Sequence, residues 1–265
     1  MIDFHNHILP NVDDGANSIE ESIEMLKCAE KQGITDVVNT VHFQHPKMDN
    51  KNVEYDYLKN EVAKLQDIVN KEKINIKIHL SAEVFYLPNL VEISSNPLVT
   101  LGKGKFMLVE FKSNIYPTGF EDEFFRLQSH GITPIVAHPE RYRFVQNDLS
   151  LMEKWIDRGY IVQVDAGSIL GFFGQKTKNI CLKMLKNNFV HIIGSDAHNQ
   201  KRRNFCIKDA YQSINKAFSN EYVDFLKNNI SLVLNGQDIL RKLNFSKKKK
   251  NIFCSLIKSN LSKFK

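Results

Sequence analysis

VHIIGSDAHN, residues 190–199, sets a short apolar run directly before Asp196 and His198. The amino terminus repeats the arrangement, since MIDFHNH (1–7) ends in His5 and His7. Working inward, TDVVNT (35–40) precedes His42 and IKIHLSA (76–82) precedes Glu83. FMLVEF (106–111) carries Glu110, and TPIVA (133–137) precedes His138. Runs of this length and composition, bounded by turn residues, read as buried strands. Together with YIVQVDAGS (160–168) they make seven, with no convincing eighth. Segments of helical period separate them, and repeated βα units favour a parallel sheet with right-handed crossovers. In such a sheet all these acidic and imidazole side chains gather at the carboxyl edge. An open doubly wound sheet would place ligands mainly at one switch point. Ligands at so many strand ends favour a closed α/β barrel with its site on that face.

The helices follow from local signals. Ser18 reads as an N-cap and Glu21 as the partner of a capping box, opening a helix that ends near Gly33. A long polar helix is expected over about 53–73, and the loop-rich segment 84–105 holds Pro88, Pro97, Gly102 and Gly104. Further helices are expected in EDEFFRLQSHG, in LSLMEKWIDRG, over 175–188, and near 205–217 and 220–229.

Charge divides the chain. Residues 246–265 hold seven lysines and no acid, so of 36 basic and 30 acidic groups the first 245 residues keep 29 and 30. A body at −1 argues against a nucleic-acid surface on the folded part. This places a barrel domain at 1–245 and a basic tail at 246–265. The tail sets Ile252, Phe253, Leu256, Ile257 and Leu261 near helical spacing among lysines, a pattern suited to weak contact with an anionic membrane or to a solvated end. With no signal sequence, no apolar run near a bilayer's thickness, and scattered cysteines (Cys28, Cys181, Cys206, Cys254), a soluble cytoplasmic protein is expected.

Nine side chains carry the chemistry: His5, His7, Asp14, His42, Glu83, Glu110, His138, Asp196 and His198. A strand's period of two puts both imidazoles of HxH on one face, and Asp196-Ala197-His198 repeats the spacing. Carboxylates are seldom buried unless paired or metal-bound, and Glu110 sits inside an apolar run. Of Asp13 and Asp14, one can shape the turn before Gly15 while the other coordinates. So many carboxylates and imidazoles in one place call for cations between them. N/O donors of this kind suit Mn, Zn or Fe, and their number suggests more than one ion. The pattern is that of a multinuclear metallohydrolase. His45, His79, His130 and His191 lie outside it and read as loop or core residues. A thiolate phosphatase needs Arg six positions after its Cys, where this chain has Ile34, Asn187, Gln212 and Asn260. GKGK (102–105) lacks P-loop spacing and reads as a turn.

The opening MIDFHNHILPNVDDGANSIEES, with SAEVF (81–85), VEF (109–111), HPERY (138–142) and GSDAHN (194–199), resembles a known family. It is similar, over roughly residues 1–240, to the PHP-superfamily phosphatases of bacterial capsule and exopolysaccharide operons. These are the manganese-dependent protein-tyrosine phosphatases of the CpsB/YwqE type. The resemblance implies a distorted seven-stranded barrel holding three Mn²⁺ ions. The first would lie among His5, His7, Glu83 and Asp196. The second would share Glu83 and add Glu110 and His138. The third would use Asp14, His42 and His198. The resemblance also implies Arg141 and Arg203 against the phosphate, and a polysaccharide-assembly tyrosine kinase at the inner membrane as substrate. Two departures stand out: TVH where relatives often have TPH before the third-site histidine, and Asp165 where they commonly have Asn. The rival readings are a phosphoesterase for a small ester such as histidinol phosphate, and a metal-bound scaffold that binds a kinase without catalysis.

Overall fold

The computed structural model describes residues 1–48 and 54–242. The lysine-rich segment 246–265 therefore lies outside the described residues.

Seven strands form one all-parallel sheet in sequential order: β1 (Ile2–Asn6), β2 (Asp36–Phe43), β3 (Lys77–Phe85), β4 (Phe106–Glu110), β5 (Thr133–Val136), β6 (Ile161–Asp165) and β7 (Ile192–Gly194). The sheet closes on itself. His7 N donates to Ala197 O at 2.8 Å and Asp196 N to His5 O at 2.7 Å, so the segment after β7 pairs with the end of β1. The expected seven-stranded α/β barrel is the observed fold, and among the described residues no eighth strand occurs.

Period-two alternation explains both layers of the core. On β4, Phe106 and Leu108 point into the barrel with Val38, Ile135, Ile161 and Ile192. Met107 and Val109 point outward and join the larger cluster that includes Leu127 and Trp155 in the helical layer. Glu110 continues the inward series at the carboxyl end, which is why a carboxylate belongs inside that apolar run. The other end is plugged by the helix Asn220–Leu234, whose Ile230 and Val233 join the interior cluster. That helix is longer than its periodicity suggested.

Three local differences from expectation matter. β2 and β3 run past residues 40 and 82 because their ladder continues, and His42 and Glu83 are directly paired partners on it. β1 carries a register shift between Asp3 and Asn6. Phe4 packs in the barrel interior, and the neighbouring His5 reaches the site as well. The shift reconciles the two. Finally, β6 stops at Asp165 and Ala166–Leu170 form a short helix rather than more strand. At the first helix, Ile19–Lys31, Ser18 Oγ accepts from Glu21 N as the capping box requires. The return bond reaches one residue further, with Glu21 Oε2 accepting from Asn17 N at 3.0 Å.

Candidate metal centre

The nine side chains converge at the carboxyl mouth of the barrel. Glu83 is their centre. Its Oε2 lies 3.2 Å from His5 Nε2, 3.5 Å from His7 Nε2 and 3.2 Å from His42 Nδ1, and its Oε1 lies 2.7 Å from His138 Nε2. Asp196 Oδ1 sits 3.5 Å from both His5 Nε2 and His7 Nε2. Asp14 Oδ1 is 3.2 Å from His42 Nε2 and 3.2 Å from His198 Nε2. Glu110 is the loosest member, 3.9 Å from His42 and from His138.

Three donor groups emerge, each compact enough for one ion: His5, His7, Glu83 and Asp196; His7, Asp14, His42 and His198; and His42, Glu83 and Glu110. They overlap at His7, His42 and Glu83. The first group is the one expected. The second gains His7. In the third, His42 stands where His138 was expected, while His138 bonds to Glu83 beside it.

The electrostatics fit a site built for cations. Burial pushes Glu110 up to about 7, and the Glu83 charge adds to it. Burial also opposes ionisation of Glu83, but the charge of His5 and hydrogen bonds from His138, His5 and His7 reverse this and hold it well below the usual range. Two carboxylates this close are driven to opposite protonation states unless a cation separates them. His42 Nδ1 and Glu110 Oε2 are buried without a hydrogen bond among the described residues. Orphaned N and O donors beside a strained carboxylate pair are what an N/O-ligated divalent ion would satisfy.

A supporting shell fixes the imidazoles. Asp13 Oδ2 accepts from His7 Nδ1 at 2.9 Å, and its Oδ1 accepts from Gly15 N at 3.0 Å. Asp13 therefore shapes the turn and orients His7, while Asp14 faces the donor groups. His198 Nδ1 donates to Asp196 O at 2.9 Å, turning Nε2 toward Asp14. Gln163 Oε1 faces His5 Nδ1 at 3.3 Å and accepts from His138 N. Close packing holds His5 too, since a Cβ on Gly194 would lie 2.5 Å from His5 Cβ. Two of the donors sit in unusual backbone: His138 and Asp196 are left-handed, with φ of 32° and 51°. Such conformations cost about 1–3 kcal/mol each and cluster at functional sites.

Comparison with known proteins agrees with this geometry. A family model for capsular polysaccharide synthesis proteins, CpsB/CapC, matches residues 1–240. The chain belongs to this family. CapC of Staphylococcus aureus is 34% identical over 245 residues, covering 92% of this chain and 94% of that protein. The tyrosine-protein phosphatase YwqE of Bacillus subtilis is 34% identical over 261 residues, covering 96% and 99%. A crystal structure from the pair YwqE of Bacillus subtilis and CpsB of Streptococcus pneumoniae, described as metal-dependent tyrosine phosphatases, superposes with a TM-score of 0.86 at 30% identity. It covers 93% of this chain and all of its own. The phosphotriesterase homology protein of Escherichia coli, at 13% identity and a TM-score of 0.55, shares the fold.

Against the CpsB/CapC background, Asp165 finds a role that sequence did not suggest. Its Oδ2 accepts from Arg141 Nη1 at 3.0 Å, so it holds an arginine. Arg141 Nη1 also donates to Asp196 Oδ2 at 2.7 Å, and Arg203 Nη2 donates to that same oxygen. Arg202 is exposed and does not share this contact. Gln163 was missed as a site residue, and Asp13, one of the two candidates for the turn, adds an unexpected contact to His7. Gln163 had one signal, a polar residue within an apolar strand and in phase with Asp165. His45 is the loop residue expected, yet its Nε2 lies 3.8 Å from Glu110 and its ring 4.8 Å from that of His42, at the edge of the site. His79 pairs with Asp36, His130 donates to a helix carbonyl, and His191 accepts from Val162 N in the core. Burial pushes the Cys181 and Cys206 thiols up, away from the thiolate form.

Proposed function

We propose that this chain, a metal-dependent tyrosine-protein phosphatase of the capsular polysaccharide synthesis family, hydrolyses phosphotyrosine on a tyrosine kinase of polysaccharide assembly, with manganese as its metal. The observation that carries this is the joining of three overlapping donor groups to two arginines through one carboxylate, Asp196.

The donor set assigned to three ions is His5, His7, Asp14, His42, Glu83, Glu110, His138, Asp196 and His198, with Arg141 and Arg203 as the catalytic phosphate contacts. When bound, the ions supply Lewis acidity to the phosphoryl oxygens and to the attacking water. The arginines do the rest of the charge work. Each is partly exposed, 28% for Arg141 and 31% for Arg203, so an edge of each guanidinium remains available to an incoming phosphate. Planar N–H forks match phosphate oxygens, and donors held in place before reaction cost no reorganisation as charge develops. Asp165 and Asp196 do the holding. The departing phenol has a pKa of about 10, so its oxygen leaves without the strong general acid an alkoxide would need. Imidazole-rich donors favour manganese, iron or zinc over magnesium, which prefers oxygen ligands.

The body, 1–245, performs this chemistry. The lysine-rich segment 246–265 is assigned to contact with an anionic membrane surface, where each lysine contributes about 1 kcal/mol. That contact would place a cytoplasmic enzyme beside a membrane-bound kinase. Among the described residues no helix is long and apolar enough to cross a membrane.

The test is hydrolysis of a phosphotyrosine peptide, histidinol phosphate and a nucleotide side by side, with manganese present and metal content measured. Preference for either small ester would overturn the substrate assignment, and no turnover at all would leave a scaffold. Salt-sensitive binding to anionic vesicles, lost on truncation after Asn244, tests the tail. Equal binding by both forms would reject it.

A further inference from the structure

The four residues that follow β6 and its short helix, Gly171-Phe172-Phe173-Gly174, make a tight turn on the same carboxyl face as the donor groups. Both flanking glycines are left-handed, with φ of 94° and 88°. The turn is pinned by its backbone: Gly171 N and Phe172 N both donate to Gly167 O at 2.9 Å, and Gly174 N donates to Gly171 O at 3.1 Å. Its two aromatic rings are therefore presented by a fixed frame.

The rings have different surroundings. Phe173 lies beneath the guanidinium of Arg141, whose central carbon is 4.8 Å from the ring centroid. Phe172 is 61% exposed, among the most exposed large apolar side chains of the described residues. The two approach one point above Gly167, where an added Cβ would meet Phe173 Cε2 at 3.1 Å and Phe172 Cδ2 at 3.3 Å. A short path thus runs from the exposed ring through Phe173 and Arg141 to Asp196 and the donor groups. Holding a large aromatic in water on a rigid turn is unfavourable. It becomes favourable when another flat ring covers it.

We propose that Phe172 is the surface on which the substrate's phenyl ring lies, and that Phe173 is a positioning residue that sets the plane of Arg141. This rests on the phosphatase function above and deepens it, naming what selects aryl over alkyl phosphate esters. The phosphate would be taken by the arginines and by the ions that the donor groups would hold. The ring attached to it would then extend outward from Arg141 across Phe172. An alkyl ester offers no flat face there and gains nothing from the turn.

The test is calorimetric titration of manganese-loaded wild type, Phe172→Ala and Phe172→Tyr with phenylphosphonate and with inorganic phosphate, alongside hydrolysis of a phosphotyrosine peptide. Phe172→Ala should weaken phenylphosphonate about tenfold, equivalent to about 1.4 kcal/mol, and leave phosphate within about twofold. Phe172→Tyr should restore the aryl preference. Phe173→Leu should weaken both ligands together, because it loosens Arg141. Equal losses on both ligands in Phe172→Ala, or no loss on either, would overturn the proposal. A wild type that binds phenylphosphonate more tightly than phosphate yet fails to cleave the peptide would overturn the phosphatase function and leave the aryl site standing.

Discussion

Arg141 and Arg203 meet on a single atom. Asp196 Oδ2 accepts from both guanidiniums, while its Oδ1 faces His5 and His7. One carboxylate thus joins the two arginines, the proposed phosphate contacts, to a donor group, and the arginines share the task of orienting it. Removing either leaves Asp196 one charged partner. Arg141→Ala should therefore keep its full metal content while kcat/KM falls by about 10² to 10³, the usual cost of losing one transition-state donor. The double variant, Arg141→Ala with Arg203→Ala, should also lose metal affinity, because Oδ2 is then left buried without a cation. Metal analysis beside kinetics checks both points. Loss of metal in the single variant would contradict this division of labour.

Asp13 and Asp14, adjacent in sequence, should give different variants. Asp14→Ala removes a donor facing His42 and His198, so one ion should be lost outright. Asp13→Asn leaves every donor in place and weakens the acceptor behind His7, which also takes the backbone N–H of His42. Changes to groups behind a ligand usually cost 10- to 100-fold in metal affinity or activity. The expected result is full occupancy at high manganese and a dissociation constant raised by about that factor. Titration with manganese, read by calorimetry, separates the two cases.

Much of this was legible in the sequence. Strand order, the barrel and the nine convergent side chains follow from apolar runs that each end in His, Asp or Glu. Period two even explains Glu110 within its apolar run. What was hidden depends on backbone detail that side-chain type does not encode. The register shift in β1 lets the neighbours Phe4 and His5 both serve the interior side. The left-handed turns at His138 and Asp196 are imposed by packing around the site. Asp165, in phase with Gln163, gains its partner only in the fold, where Arg141 comes across from the turn after the preceding strand, β5.

Removing the metal should cost stability as well as activity. Without cations, burial and the Glu83 charge oppose ionisation of Glu110, and the donors stay crowded. Dialysis against a chelator should abolish turnover, and manganese should restore it better than magnesium. Because an ion that binds only the folded state stabilises it in proportion to RT ln(1 + [L]/Kd), Tm should rise with manganese concentration. Full activity in verified metal-free protein would sink the mechanism.

His191 gives a pH prediction away from the donor groups. It is buried just before β7 with Nδ1 accepting from Val162 N at 3.1 Å, and burial lowers its pKa to about 4. In the unfolded chain the ordinary value of about 6.5 applies. Between those values the unfolded state binds more protons, so stability is complete above about 6.5 and falls as pH drops toward about 4. The loss between pH 7.5 and 5 should be on the order of 2 kcal/mol. His191→Asn keeps an acceptor near Nδ1 and cannot take up the proton. It should be somewhat less stable at pH 7.5 and lose less on acidification. Denaturant unfolding of both metal-free proteins at the two pH values measures this, other titrating groups cancelling in the difference. Parallel losses in wild type and variant would show that His191 does not set the acid side of the stability profile.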